Sequence, residues 1–183
     1  MADARAALRR DTAGDHERLD ALFGRFRLDD PVDYRAFLTA HAMALPSVEA
    51  ALDAAGFAAL LDDWPARRRG SAIAADLAAL GDAMPPPLAA PPLDTPAAQW
   101  GAAYVVEGSR LGGALLARGV AETSPTYYLG TPQPPGAWRN FLARLDEQLR
   151  SPDEIAAATE AARGTFTLFE QAGRIVKGAD VRP

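Results

Sequence analysis

Gln99-Trp-Gly-Ala-Ala-Tyr-Val-Val-Glu-Gly-Ser-Arg-Leu-Gly-Gly-Ala-Leu-Leu-Ala-Arg118 is a helix-forming stretch that carries four glycines, Gly101, Gly108, Gly112 and Gly113. Each glycine in a helix interior gives up about 1 kcal/mol relative to alanine, so the segment forgoes roughly 4 kcal/mol of intrinsic stability. At about 100° per residue, Gly101, Gly108 and Gly112 fall within roughly 40° of one another and leave a ridge without side chains. Either a neighbouring helix packs closely on that ridge or a flat ligand does. A kink is expected at Gly112-Gly113, because adjacent glycines weaken the helix there. A kinked helix with bare backbone could close over a planar molecule held from its other side.

The rest of the chain reads as helix too. Alanine, leucine and arginine, all strong helix formers, dominate it, and no strand-like alternation exceeds four residues. Asp30-Pro31 and Thr95-Pro96 each set a capping residue before a proline at the first helical position. Ser151-Pro152-Asp153-Glu154 forms a capping box, and Gly56 and Gly81 are helix stops. Helices are expected near 3–24, 31–55, 71–83, 96–119, 134–150 and 152–176, with a helical turn around 57–62. Met84 to Pro92 holds five prolines and is a loop; a second loop runs from about 121 to 133, through Tyr127, Tyr128 and Gly130. The expectation is one all-α domain over 1–183, a bundle of about six to eight helices with a short tail from about 177.

The 183 residues suffice for one buried core, and 49% hydrophobic against 23% charged residues rules out whole-chain disorder. A net charge of −5 argues against a nucleic-acid partner. Without cysteine there is no disulfide, thiolate ligand or cysteine nucleophile, and two histidines cannot make a three-histidine zinc site. No stretch reaches the roughly 18 apolar residues of a membrane helix, and the charged N-terminus lacks a signal-peptide core. A cytoplasmic protein without a membrane partner is expected.

On the first helix, Arg9, Thr12, His16 and Asp20 lie close to a common line, beside an apolar stripe of Leu8, Leu19, Leu22 and Phe26. His16 sits at the margin of the buried face. A metal-binding histidine needs its second ring nitrogen anchored, and Asp20 has the type and spacing to do that. An ordinary solvated helix face carries such pairs as well. His41, among Ala40, Ala42, Met43 and Leu45, reads as a packed histidine of the core boundary.

Together the two segments resemble the haem oxygenases, in particular the biliverdin-producing bacterial type associated with bacteriophytochromes. Leu8-Arg-Arg-Asp-Thr-Ala-Gly-Asp-His-Glu-Arg-Leu-Asp20 is similar to the family's proximal-helix motif, and Tyr104-Val-Val-Glu-Gly-Ser-Arg-Leu-Gly-Gly113 to its distal helix. Weaker likenesses follow in the same order at Ser71 to Gly81 and at Tyr127 to Leu142, so the resemblance runs from residue 5 to about 170.

The resemblance implies a haem-oxygenase-like helical fold and the oxidation of haem by O2 to biliverdin, CO and ferrous iron, haem being both substrate and cofactor. It implies His16 as the axial iron ligand and Asp20 as its partner, at a position where the family often has glutamate. Thr12 would line the haem site. Gly108, Gly112 and Gly113 would form the distal wall. Ser109 stands where some members have a carboxylate. Arg9 would pair with a haem propionate, and Arg139 is a second candidate for that role. Electrons would come from a ferredoxin or flavin reductase, and a bacteriophytochrome could accept the biliverdin. A non-catalytic haem-binding or haem-transfer protein of the same fold is the alternative. A histidine phosphotransfer bundle is disfavoured, since Glu17-Arg18-Leu19 follows His16 in place of the usual Lys-Gly pair.

Overall fold

Helix starts follow the local signals. Asp30 accepts from the backbone N–H groups of Val32 and Asp33 ahead of Pro31, and Thr95 caps Ala98 ahead of Pro96. Glu154 accepts the N–H of Ser151 at 2.8 Å while its own N–H donates to the Ser151 hydroxyl at 3.2 Å, which completes the capping box. Gly56 and Gly81 adopt φ values of 77° and 80°, the left-handed conformation that ends a helix with least strain in glycine.

The computed structural model describes residues 4–179; among them are nine α-helices, one 3-10 turn and no strand. They are α1 (Ala4–Asp11), α2 (Ala13–Phe23), α3 (Pro31–Ala54), the 3-10 turn Phe57–Ala59, α4 (Trp64–Arg67), α5 (Gly70–Ala79), α6 (Pro96–Gly108), α7 (Arg110–Ala117), α8 (Ala137–Gln148) and α9 (Pro152–Ala179). The final helix runs past the expected start of the tail at 177; residues 180–183 lie outside the described residues.

Two expected helices are each divided in two. The first bends at Thr12, whose hydroxyl donates to the Leu8 carbonyl at 2.7 Å. The glycine-rich one bends at Ser109 and not at the expected Gly112-Gly113 pair. The Ser109 hydroxyl donates to the Val106 carbonyl at 2.7 Å, and Arg69 donates to the same carbonyl at 2.8 Å. Back-bonding loosens the regular ladder, but Thr159 and Thr165 make the same bond inside the unbroken α9. What sets Ser109 apart is the added Arg69 bond to the Val106 carbonyl.

The centre of the bundle is α6 packed against α9, with α3 along the other side of α9. Ala158, Ala161, Ala162, Thr165, Phe169 and Ala172 form the buried stripe of α9 at helical spacing. A Cβ on Gly101 would overlap the backbone of Ala158, so this glycine serves the α6–α9 contact. The proline segment runs over α3 and α9 as a loop, with the Leu88 N–H on the Met43 carbonyl at 2.8 Å. These layers leave α1–α2 on one side of a gap and α6–α7 on the other.

Candidate active site

A cavity of about 890 Å³ fills that gap, walled by α1 and α2, by α6 and α7, and by α8 and α9. It is the size of a cleft for a sizeable organic ligand, roughly 300–1,000 Å³. Arg9, Thr12 and His16 line one wall, Tyr104 and Leu111 the opposite one, and Trp138, Leu142 and Phe166 its apolar end.

His16 is one turn before Asp20, and its Nδ1 is 2.9 Å from the carboxylate. The imidazole is 63% exposed and meets the Phe166 ring edge at 6.0 Å between centroids. With Nδ1–H donated to Asp20, Nε2 is left with its lone pair.

On the other wall, Tyr104, Gly108 and Leu111 share one helical face. A Cβ on Gly108 would sit in ordinary contact with Trp138, and one on Gly112 would meet nothing within 4 Å. Gly112 thus presents bare backbone to open space. Arg9 forms no hydrogen bond or ion pair among the described residues, and it acts electrostatically on Tyr104. Burial pushes the Tyr104 hydroxyl up from its ordinary pKa, against the pull of the Arg9 charge. An unpaired guanidinium beside a half-buried phenol is a seat for a carboxylate.

Other expected residues lie elsewhere. Ser109 is turned behind the helix, where its hydroxyl accepts from Arg69 at 2.6 Å. Gly113 is buried, and its Cβ position is 3.2 Å from the Leu129 carbonyl oxygen of the second loop. Arg139 is exposed on α8 with its guanidinium near Gly136, so α8 contributes Trp138 and Leu142 to the cavity instead. His41 is enclosed by the rings of Phe23, Phe37, Tyr128 and Phe169, at 4.2–5.8 Å between centroids, and its Nδ1 lies 2.9 Å from the Phe37 carbonyl. Desolvation depresses its pKa to about 4.

Behind the distal wall lies a buried ionic cluster that no motif announces. Glu107 takes Arg67 at 2.6 Å and Arg110 at 3.0 Å, while Glu49 accepts the backbone N–H groups of Arg69 and Gly70. Desolvation raises the pKa of Glu49, against those two hydrogen bonds.

No family model matches the chain. A curated heme oxygenase from Xanthomonas campestris pv. campestris (strain 8004) is 37% identical over 115 residues, which span 58% of this chain and 67% of that protein. The chain belongs to the haem oxygenase family. Its members are enzymes that degrade haem. The crystal structures of the NO- and CO-bound heme oxygenase from Neisseria meningitidis superpose with a TM-score of 0.83 at 24% identity, over 97% of this chain and 93% of that one. That likeness shows the shared fold, the haem-oxygenase-like all-α bundle.

The residues of the cavity fit haem. A macrocycle needs apolar walls, a close backbone on one face, a neutral nitrogen ligand on the other and partners for two carboxylates. Trp138, Leu142 and Phe166 supply the apolar walls, His16 the nitrogen and the Arg9–Tyr104 pair a seat for one carboxylate. On the face opposite His16 the lining residues are Tyr104 and Leu111, while the expected Gly108 and Gly112 lie outside the lining. Tyr104 was not singled out from the sequence. Its signal was available, since it lies one turn before Gly108 on the ridge.

Proposed function

We propose that this chain oxidises haem with O2 to biliverdin, CO and ferrous iron, with His16 as the axial iron ligand and electrons from a separate ferredoxin or flavin reductase. The observation that carries the ligand assignment is the exposed His16 imidazole, anchored on Asp20 at 2.9 Å and bordering the large cavity. Bound haem supplies the oxidation chemistry, and the protein supplies orientation and control of the pocket.

Asp20, 2.9 Å from His16 Nδ1, would orient the ring so that Nε2 could hold the iron. Tyr104 and Leu111 would face the macrocycle from the distal side; Gly108, covered by Trp138, and the open Gly112 would keep the helix beside them free of side chains. Arg9 and the Tyr104 hydroxyl would hold one propionate and so orient the bound ring in the cavity. Thr12 shapes the proximal wall, and Trp138, Leu142 and Phe166 exclude water from the ring edge. Ser109 and Gly113 act on the geometry of the distal helix from behind. Arg139, which does not line the cavity, would need a side-chain rearrangement to act on a propionate. A bacteriophytochrome is a fitting acceptor for the product.

The test is haem titration followed by addition of ascorbate or a reductase. Wild type is expected to give an imidazole-ligated spectrum, then lose the Soret band as biliverdin absorption grows. His16→Ala is expected to lose both the ligated spectrum and turnover, with the spectrum restored by added imidazole. An unchanged spectrum in His16→Ala would overturn the ligand, and a persistent Soret band in wild type would overturn the reaction.

A further inference from the structure

We infer that Asp76, a carboxylate on α5 that does not line the cavity, positions the distal helix α7 by fixing the loop that bears on α7 at two points. The inference rests on the reading of α6–α7 as the distal wall.

Asp76 is fully buried, with no ion-pair partner among the described residues. Its Oδ1 accepts the N–H of Tyr127 at 2.8 Å and its Oδ2 that of Tyr128 at 2.9 Å. A buried carboxylate is expensive to desolvate, and loop packing alone would be served by an apolar side chain. Two oxygens on two consecutive N–H groups do what an apolar side chain cannot: they fix the height and tilt of the loop backbone. Tyr34 holds the same loop from another side, its hydroxyl donating to the Pro125 carbonyl at 2.7 Å.

The loop meets α7 in two ways. The Tyr128 ring lies under the Arg69 guanidinium, 5.0 Å from its centroid, and Arg69 in turn donates to Ser109 and Val106 at the bend. One residue further, the Leu129 carbonyl oxygen abuts Gly113. Within α7, Gly113 is the one buried residue, while Leu111, Leu115 and Leu116 are exposed. The helix therefore has little core of its own to hold it in place. Its bend and its midpoint both take their position from residues 128–129, and those residues take theirs from Asp76.

Asp76→Asn is close in shape but turns one acceptor into a donor facing an N–H. In haem-free protein, amides of residues 110–117 are expected to exchange about tenfold faster, the opening expected when a charge-assisted hydrogen bond is lost. In the haem-loaded ferrous CO complex, the C–O stretching band is expected to shift and broaden while the His16-ligated spectrum stays as in wild type. Turnover is expected to fall about tenfold, as for a small misplacement transmitted from a distance. Gly113→Ala, which presses on Leu129 from the other side, is expected to shift the same band, and the double variant to fall short of the sum. Wild-type exchange and a wild-type CO band in either soluble variant would overturn the inference, so Gly113→Ala decides the matter if Asp76→Asn does not fold. Failure of wild type to form a His16-ligated haem complex would overturn the functional reading instead, and the haem-free exchange still judges Asp76.

Discussion

The two walls of the cavity are built by opposite means. None of the residues of α2, which carries His16, is fully buried. That helix packs the partly buried Leu19 and Phe23 on the core and is also held by ion pairs near the surface, Arg18 with Asp15 and Glu170, and Arg163 with Asp15. In α6, by contrast, most residues from Ala97 to Glu107 are buried, and Arg67, Glu107 and Arg110 lock the far end from behind. Exposed pairs contribute little and are screened by salt, whereas a buried cluster cannot lose a member without leaving an unpaired charge. The contrast holds for α6 against α2; α7, with Gly113 as its one buried residue, is anchored from outside itself.

Substitutions can break this contrast. Glu107→Gln should cost about 3 kcal/mol, because the buried Arg110 guanidinium loses its carboxylate while Arg67 keeps Asp63. Asp15→Asn on the proximal side should cost less than about 1 kcal/mol, and high salt should reduce that further. Chemical denaturation of both haem-free variants checks the pair, and similar losses would end the distinction.

Gly101 and Gly112 sharpen it within one helical face. Gly101→Ala drives a methyl into the Ala158 backbone and should destabilise by about 3 kcal/mol. Gly112→Ala meets open space, so the haem-free protein should gain up to about 1 kcal/mol in stability while binding haem more weakly. Thermal melts and haem titrations separate the two effects.

His41 touches both sides, with Phe23 from the end of α2 at 4.7 Å and Tyr128 of the distal loop at 5.4 Å. Its pKa falls from an ordinary 6.5 to about 4 on folding, through desolvation and the nearby Arg69 charge. Between those values the unfolded chain binds a proton that the folded chain refuses. Stability from this group is thus full above pH 6.5 and lost as pH falls toward 4, by about 3 kcal/mol in all. A pH series of denaturation midpoints should show that loss in wild type and a shallower one in His41→Leu.

Much of the fold was legible because its signals are local. The caps at Asp30, Thr95 and Ser151 and the left-handed stops at Gly56 and Gly81 depend on a few neighbouring residues, and each stands where the sequence puts it. The His16–Asp20 pair was legible for the same reason, since one helical turn fixes its geometry. The bend at Ser109 was not, because Arg69 arrives from forty residues away in the chain. Arg9 and Arg139 looked alike as cations; only packing turns the first into the cavity and leaves the second on the surface.

By itself the sequence determined the capped starts at Asp30, Thr95 and Ser151, that the chain is all-α, and which imidazole stands beside a carboxylate, because backbone and one-turn interactions act within a few residues. It also marked a ridge of glycines without saying what each one meets. Tertiary structure alone decided that Gly101 receives Ala158, Gly113 receives Leu129 and Gly112 stays open. A missing side chain has no contacts of its own, so its meaning is supplied by whatever the fold brings against it.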